Sequence, residues 1–433
     1  MNTCDRQILR LAVPSIVSNI TVPLLGMVDV AIVGHLGDAT YIGAIAVGAM
    51  IFNVIYWIFG FLRMGTSGMS AQALGARRLA DVVQLLVRSL SVGLLVALLL
   101  LIFQLPVKQL AFAIVAPEAQ VRSLASMYFN ICVWGAPAML AMYGVTGWYI
   151  GMQNTRFPMI ISILQNVVNI VASLVLVFVF KMGVRGVAWG TLVAQYFALA
   201  ISIILLMAYY RRLWRYMRWN GLYKKHEMLE FFKVNSDIFI RTLFLVAVNF
   251  YFLAAGSRQG ALILAVNTLI MQLFILFSYV MDGFAFAGEA LCGKYYGAGN
   301  MEAFHTILRR LFLLGIFVVV GFTLLYLIGG QEFLNLFTDD ANVSSEAVSY
   351  FPWALVIPVA GMAAFIWDGV FVGITETRGM LCSSVIATVL FFVVYIFLRS
   401  SWHNHALWLA FILYLMTRGV AQFFIFKYCK IYS

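Results

Sequence analysis

The stretch Gly147-Trp-Tyr-Ile-Gly-Met-Gln-Asn-Thr-Arg156 decides how this chain is organised, because it returns in the second half as Gly369-Val-Phe-Val-Gly-Ile-Thr-Glu-Thr-Arg378. Other segments pair in the same register: Val33-Gly34 with Ala255-Gly256, Gly75-Ala76 with Gly297-Ala298, Arg88 with Arg310, and Tyr128-Phe129 with Tyr350-Phe351. This repeat register, in which Gly147 is equivalent to Gly369, holds with almost no gaps from Val33 to Arg156. Biased composition does not produce such agreement, so we interpret it as an internal duplication.

The composition is that of a membrane protein. Of the 433 residues, 64% are hydrophobic and only 10% are charged, and the mean hydropathy is +0.97. A soluble core cannot absorb so much apolar surface. The first apolar stretch, from about Leu9 to Val33, is too long for the core of a signal peptide and is therefore interpreted as the first span.

Apolar stretches long enough to cross ~30 Å of hydrocarbon predict about twelve spanning helices. They begin near residues 10, 41, 84, 123, 158, 186, 234, 262, 311, 345, 380 and 405. Each copy of the duplication then holds an even number of spans, so both copies enter the membrane in the same direction. The predicted fold is an all-α integral membrane protein with two six-helix lobes, residues 1–215 and 216–433, related by a pseudo-two-fold axis along the membrane normal.

The net charge of +11 is distributed between the spans and not along one soluble face, which argues against nucleic acid as a partner. The densest basic run is the connector at about 209–233, which contains Arg211, Arg212, Arg215, Arg218, Lys224, Lys225 and Lys233. By the positive-inside rule this connector is cytoplasmic, and counting spans from it places both termini in the cytoplasm.

Asp29 lies deep in span 1, where an ionisable residue costs on the order of 2.5–3.5 kcal/mol even on an insertion scale. The same span contains Pro14 and Pro23, which remove backbone hydrogen bonds and predict a bend. Asp29 could cap the backbone groups freed by that bend. We favour the other interpretation, in which a carboxylate desolvated between helices takes up and releases a proton.

Span 5 contributes Asn166 and Asn169, and span 6 contributes Thr191. All three could face Asp29 inside the first lobe, where such oxygens could also hold a desolvated Na⁺. The alternative is that they form hydrogen bonds between helices, as Asn and Thr commonly do in membranes.

The second lobe carries more charge within its spans, at Asp237, Arg241, Asp282, Glu289 and Asp368. Asp237 and Arg241 are spaced i, i+4, so we expect them to neutralise one another. Asp282 and Asp368 have no such partner on their own helices. Either could bind a cationic substrate or be paired by an arginine from elsewhere.

Enzyme signatures are weak. The stretch from Gly288 to Lys294 imitates a phosphate loop, but Tyr295 stands where a magnesium-binding Ser or Thr is needed and no strand precedes it. The five cysteines form no CxxC pair and the five histidines fall at span ends or in loops, so we expect no cofactor and no metal beyond a possible Na⁺. Without a nucleotide-binding domain, uphill transport must draw on an ion gradient.

Five segments resemble the multidrug and toxic compound extrusion (MATE) transporters, in their DNA-damage-inducible (DinF-like) branch. They are Met27-Val-Asp-Val-Ala-Ile-Val-Gly-His-Leu-Gly37, Ser70-Ala-Gln-Ala-Leu-Gly-Ala-Arg77, Asp237-Ile-Phe-Ile-Arg-Thr-Leu243, Met281-Asp-Gly-Phe-Ala-Phe-Ala-Gly-Glu-Ala-Leu291 and Ile366-Trp-Asp-Gly-Val-Phe-Val-Gly373. The resemblance implies a V-shaped fold of two lobes and antiport, in which an amphipathic or cationic toxin leaves as H⁺ or Na⁺ enters.

The resemblance also implies roles for single residues. Asp29 matches the span-1 carboxylate that carries the coupling ion, and Pro14 matches the proline at which span 1 bends. Asn169 and Thr191 match the asparagine and threonine of the cation site. One departure is Ser173, which stands where many relatives have a second acid. With one carboxylate fewer, a proton on Asp29 is the simpler coupling charge, and Na⁺ is the alternative.

We therefore expect a transporter that works as a monomer in the bacterial inner (plasma) membrane, with amphipathic small molecules and membrane lipids as its partners. A flippase of lipid-linked oligosaccharides is the nearest rival, but it needs a cationic cavity, whereas the mid-span charges here are mainly acidic. An integral-membrane enzyme is a further alternative, and the lack of a mid-span histidine argues against it. The sequence does not name the physiological substrate or the transport stoichiometry.

Overall fold

The computed structural model describes residues 3–35, 39–337 and 340–428, and within these ranges the chain is helical and contains no strand. The α-helices are α1 Thr3–Gly34, α2 Ala39–Phe59, α3 Phe61–Gly75, α4 Leu79–Ile102, α5 Gln104–Val115, α6 Ala119–Cys132, α7 Ala136–Gly151, α8 Arg156–Leu174, α9 Val184–Tyr210, α10 Lys225–Arg258, α11 Ala261–Gly297, α12 Met301–Phe337, α13 Ala341–Gly373 and α14 Thr377–Tyr428.

Eleven helical segments of the described chain are long and apolar enough to cross a membrane. Helices α2 and α3 together form one of them, Thr40–Gly75, and α6 and α7 form another, Ala119–Gly151. The 52-residue α14 contains a non-helical residue, His403 (φ 46°, ψ −119°), and is therefore two helices in succession. The prediction of an all-α protein with about twelve spans is confirmed.

The backbone repeats in the register read from the sequence. Residues with positive φ occur at equivalent positions of the two copies: Arg77 and Gly299, Gln153 and Thr375, Lys181 and His403. Lys181 lies in the turn between α8 and α9. The break at His403 is thus the second copy of that turn, which identifies the two parts of α14 as the last two spans.

Glycines set the closest helix contacts, again in equivalent places. A Cβ atom on Gly147 of α7 would lie 2.2 Å from the carbonyl oxygen of Arg63 in α3. A Cβ atom on Gly369 of α13 would lie 2.2 Å from the carbonyl oxygen of Ala285 in α11. The two glycines are equivalent in the repeat register, and so are the two residues that they contact. Small residues at these points let the helix backbones approach closely, which is how helices associate in lipid.

The chain divides into two compact units. Unit N is Val17–Phe231, and its apolar core includes Leu62, Phe129 and Trp148. Unit C combines the described part of Met1–Ile16 with that of Phe232–Ser433. The predicted lobes are residues 1–215 and 216–433, and their boundaries differ from those of the units in two places. The start of α1 belongs to unit C, and the start of α10 belongs to unit N.

Replacing either contact glycine by alanine is expected to destabilise the protein. A methyl group at Gly147 or Gly369 forces two helices apart, at a cost of about 1–3 kcal/mol for overpacking. Gly321→Ala in α12 is the matched control, because nothing lies within 4 Å of its Cβ position and alanine favours a helix. Thermal unfolding in detergent should show a lower midpoint for G147A and G369A and an equal or higher one for G321A. Three equal midpoints would contradict the assigned packing.

Candidate functional site

Asp29 is a buried acid of α1. Its side chain is 7% exposed, and its Oδ1 atom is buried without a hydrogen-bond partner. No ion pair among the described residues involves it. Its Oδ1 atom is therefore shielded from solvent, and no basic side chain of the described residues neutralises the carboxylate, which leaves a proton or a bound cation to do so.

Two side chains of α6 lie within electrostatic reach of Asp29, the hydroxyl of Tyr128 and the thiol of Cys132. Tyr128 also interacts with the side chain of Thr191 in α9. Thr191 Oγ1 in turn accepts a hydrogen bond of 3.1 Å from Asn169 Nδ2 of α8. Polar interactions thus link α6, α8 and α9 through Tyr128, Thr191 and Asn169, and Asp29 of α1 lies within electrostatic range of Tyr128 in this series.

This interior is rich in acceptors that lack a donor. Besides Asp29 Oδ1, the buried Asn169 Oδ1 and Ser173 Oγ have no hydrogen-bond partner. Ser173 faces α9 so closely that a Cβ atom on Gly190 would lie 2.3 Å from its Oγ. Unpaired buried acceptors are costly, so this set of oxygens favours a proton or an oxygen-binding cation.

Asn166 has a different environment from Asn169. Its Nδ2 donates a hydrogen bond of 2.9 Å to the carbonyl oxygen of Thr21, and Thr21 Oγ1 also lies 3.1 Å from Ser162 Oγ. These contacts tie α8 to α1 and are the interhelical bonds that the sequence left open as an alternative. A role for Asn166 in ion coupling stays a prediction.

The prolines of span 1 lie within a helix that continues from Thr3 to Gly34. Pro14 is buried and Pro23 is exposed. Pro14 belongs to the part of α1 in unit C, whereas Asp29 belongs to unit N. The predicted bend at Pro14 stays a prediction.

Unit C holds the buried carboxylate of Asp368, which, unlike that of Asp29, is paired with basic side chains. Asp368 of α13 accepts hydrogen bonds from Arg241 of α10 and Arg418 of α14 on the same oxygen, Oδ2. Its other oxygen, Oδ1, accepts from Gln422 Nε2 at 2.6 Å. All four side chains are at least nine-tenths buried. Asp368 is therefore paired by arginines from other helices, the second of the two possibilities that the sequence offered.

The predicted pairing of Asp237 with Arg241 is wrong. Arg241 turns to Asp368, and Asp237 Oδ2 accepts a hydrogen bond of 2.8 Å from Thr377 Oγ1. Spacing along one helix made the local pair plausible, but a buried guanidinium gains more from a buried carboxylate on a neighbouring helix than from the partly exposed carboxylate of Asp237.

Asp282 and Glu289, the remaining acids of the predicted network, both lie on α11. Asp282 is partly buried and interacts electrostatically with Arg418 and Tyr279. Glu289 is 1% exposed, next to the point where Gly373 of α13 packs against its backbone. Asp282 thus adjoins the Asp368 cluster, and Glu289 lies at the α11–α13 contact.

Sequence reasoning missed Arg418 and Gln422, and in unit N it missed Tyr128 and Cys132. Arg418 carried a visible signal, since it is a cation inside the last apolar stretch. Tyr128 and Cys132 carried none, because an aromatic residue and a cysteine at helical spacing are ordinary core residues.

Comparison with known proteins identifies the family. The MatE family model matches residues 14–175 and again residues 238–397, one match in each copy of the duplication. The chain belongs to the MatE family. This confirms the resemblance found in the sequence, and it makes the chain a member of a transporter family and not of an enzyme family.

Among curated relatives, the chain is 34% identical over 426 residues to DNA damage-inducible protein F of Escherichia coli, covering 97% of this chain and 92% of that one. It is 22% identical over 352 residues to a probable multidrug resistance protein NorM of Thermotoga maritima, covering 78% and 73%. A MOP superfamily transporter from Pyrococcus furiosus shares the fold, with a TM-score of 0.87 at 19% identity over 98% of this chain and 96% of that chain.

The two buried aspartates, Asp29 and Asp368, should respond differently to neutralisation. Asp368→Asn leaves two buried guanidinium groups facing a neutral amide, which is expected to cost about 3–5 kcal/mol and to lower the yield of folded protein. Asp29→Asn removes no ion pair, so the folded yield and thermal midpoint in detergent should match the wild type. Size-exclusion profiles and thermal unfolding of both variants check this. Equal stability of D368N and D29N would contradict the assigned pairing.

Proposed function

We propose that this chain is a secondary active antiporter that exports amphipathic or cationic small molecules in exchange for H⁺. Asp29 carries the proton, and the two units rock against one another to expose the substrate to one side of the membrane at a time. Membership of the MatE family supports transport. The substrate class and the coupling ion are parts of the proposal.

The observation that carries the proposal is the isolation of the Asp29 carboxylate. It is buried, its Oδ1 has no donor, and it has no ion pair among the described residues. Asp368, the other buried aspartate, is held by two arginines and has no comparable freedom to change its charge. Of these two acids, Asp29 is therefore the one whose charge can change during a transport cycle.

We propose that proton and substrate compete for Asp29. A negatively charged Asp29 attracts a cationic substrate into unit N, and protonation removes that attraction. Protonation also removes the need to keep a charge away from apolar surface, so α1 can pack more tightly against α6 and α8 and reduce the space for substrate. The proton then leaves on the opposite side, and the carboxylate is ready for the next substrate.

Na⁺ is the second candidate for the coupling ion. The oxygens Asn169 Oδ1 and Ser173 Oγ have no hydrogen-bond partner and lie in the same unit as Asp29, and we propose that they could complete the coordination of a small hard cation. Only one carboxylate is present among them. A monovalent cation then has to rely on neutral oxygens, which makes a proton the simpler partner for Asp29.

The remaining parts of the proposal concern where and with what the protein works. We place it in the bacterial inner membrane as a functional monomer with both termini cytoplasmic. A flippase for lipid-linked oligosaccharides needs cationic side chains that are free to hold a pyrophosphate. Arg241 and Arg418 are both engaged with Asp368, which favours the exporter.

Asp29→Asn should abolish ion-coupled transport while leaving the protein folded in the membrane, because the amide has the shape of the carboxylate but cannot change its charge. Efflux of a lipophilic cation from proteoliposomes measures this. Asp81→Asn is the matched control, since Asp81 pairs with Arg78 at an exposed helix start. Normal transport by D29N, or equal loss in D81N, would refute the assignment.

H⁺ and Na⁺ can be distinguished as the coupling ion by imposing one ion gradient at a time. With a pH gradient and equal Na⁺ on both sides, we expect substrate to move against its own gradient, since a difference of one pH unit supplies ~1.4 kcal/mol for each proton that moves. Transport driven by Na⁺ at equal pH, and indifferent to a pH gradient, would replace H⁺ by Na⁺ as the coupling ion and keep the antiport.

A further inference from the structure

The duplication places an ion pair at the same point in both units. In unit N, Arg88 of α4 donates from Nη1 to Glu227 Oε2 at 3.0 Å. In unit C, Arg310 Nε of α12 lies 3.9 Å from Asp5 Oδ1. Arg88 is equivalent to Arg310 in the repeat register, and Asp5 is equivalent to Glu227. The same basic position in each copy therefore pairs with the same acidic position, at the start of a span.

Arg88 fixes the start of α10 and the residues before it. Its side chain is 2% exposed and donates to the carbonyl oxygens of Leu222 at 2.6 Å and Gly221 at 3.3 Å, besides Glu227. Phe231, one turn after Glu227, is buried in the apolar core of unit N. The first residues of α10 thus belong to unit N, although most of α10 belongs to unit C.

The start of α1 is fixed in unit C in a parallel way. Gln7 Oε1 accepts a hydrogen bond of 3.2 Å from the Tyr295 hydroxyl, close to the Asp5 pair. Ile8 and Ala12 are fully buried, and a Cβ atom on Gly283 of α11 would lie 2.8 Å from the Ala12 carbonyl oxygen. The first residues of α1 belong to unit C, although the rest of the helix, with Asp29, belongs to unit N.

We propose that Asp5–Arg310 and Arg88–Glu227 are a pair of equivalent anchors, whose four residues position α1 and α10 for transport. Each anchor holds the start of a span in one unit while the same span continues in the other. Any movement of the units must then be taken up along α1 and α10. The anchors transmit that movement to the α1 segment that carries Asp29.

The inference rests on the proposed function, because it needs the units to move during transport. It does not need a particular coupling ion or substrate. Anchors of this kind touch neither the substrate nor the Asp29 carboxylate, so their loss should alter the maximal transport rate and leave the apparent KM for substrate unchanged. A group that only supports the fold would lower the amount of active protein and leave its properties as they were.

Cys4 offers a direct readout of the α1 anchor, because it is adjacent to Asp5 and partly exposed. In a C382S/C429S background, the buried thiols Cys132 and Cys292 are protected and Cys4 is the thiol left to react with a water-soluble maleimide. Release of the α1 start from unit C should increase its rate of labelling.

The test compares D5N, E227Q and the charge exchange D5R/R310D in that background, with D81N as a matched control because its ion pair with Arg78 lies within one helix start. We expect D5N and E227Q to lower the maximal rate by about fivefold at an unchanged KM, the size expected for a partly exposed ion pair. Cys4 should label faster in D5N only, and D5R/R310D should restore both the rate and the slow labelling.

Maximal rates of D5N and E227Q that equal the rate of D81N would overturn the proposal. So would Cys4 labelling in D5N that is as slow as in D81N, or a failure of the charge exchange to rescue D5N. Cys4 labelling is measured on detergent-solubilised protein without an ion gradient. It therefore judges the anchors even if the wild type proves to use Na⁺ in place of H⁺.

Discussion

The Asp29 carboxylate is buried without a basic partner among the residues that the structure describes, and the proposed transport depends on this constraint. An unpaired negative charge at a buried position is energetically unfavourable, so the site has the lowest free energy when the carboxylate holds a proton or a cation. In the same unit, the buried Asn169 Oδ1 and Ser173 Oγ also lack a hydrogen-bond partner. Binding and release of a positive charge therefore change the energy of the whole interior of unit N.

The two copies of the duplication share their helix packing but not the positions of their buried acids. Glycine contacts, left-handed turns and the anchoring ion pairs recur at equivalent positions of the two copies. The buried acids do not, because Tyr251 stands at the position equivalent to Asp29 and Thr146 at that equivalent to Asp368. Unit N has a carboxylate free to change its charge, and unit C has one fixed by Arg241 and Arg418. Equivalent scaffolds thus serve different roles.

The sequence was sufficient for features that depend on composition or on position along the chain. Hydropathy located the spans, and the repeat located the break at His403 within the last long helix. Contacts between helices were harder to predict, because they depend on how each helix is rotated and tilted, and hydropathy carries no information on either. Asp237 and Arg241 were matched by spacing on one helix, whereas packing of α10 against α13 and α14 gave Arg241 to Asp368. Tyr128 and Cys132 looked like core residues until α6 was placed beside Asp29.

The central claim is that substrate and proton compete for Asp29, and linkage makes this competition measurable without transport. Substrate binding to detergent-solubilised protein in weakly buffered solution should release about one proton for each molecule of a lipophilic cation bound, read with a pH-sensitive dye. The account predicts this release for the wild type and none for D29N. The same release from D29N, or none from the wild type although substrate binds, would contradict it.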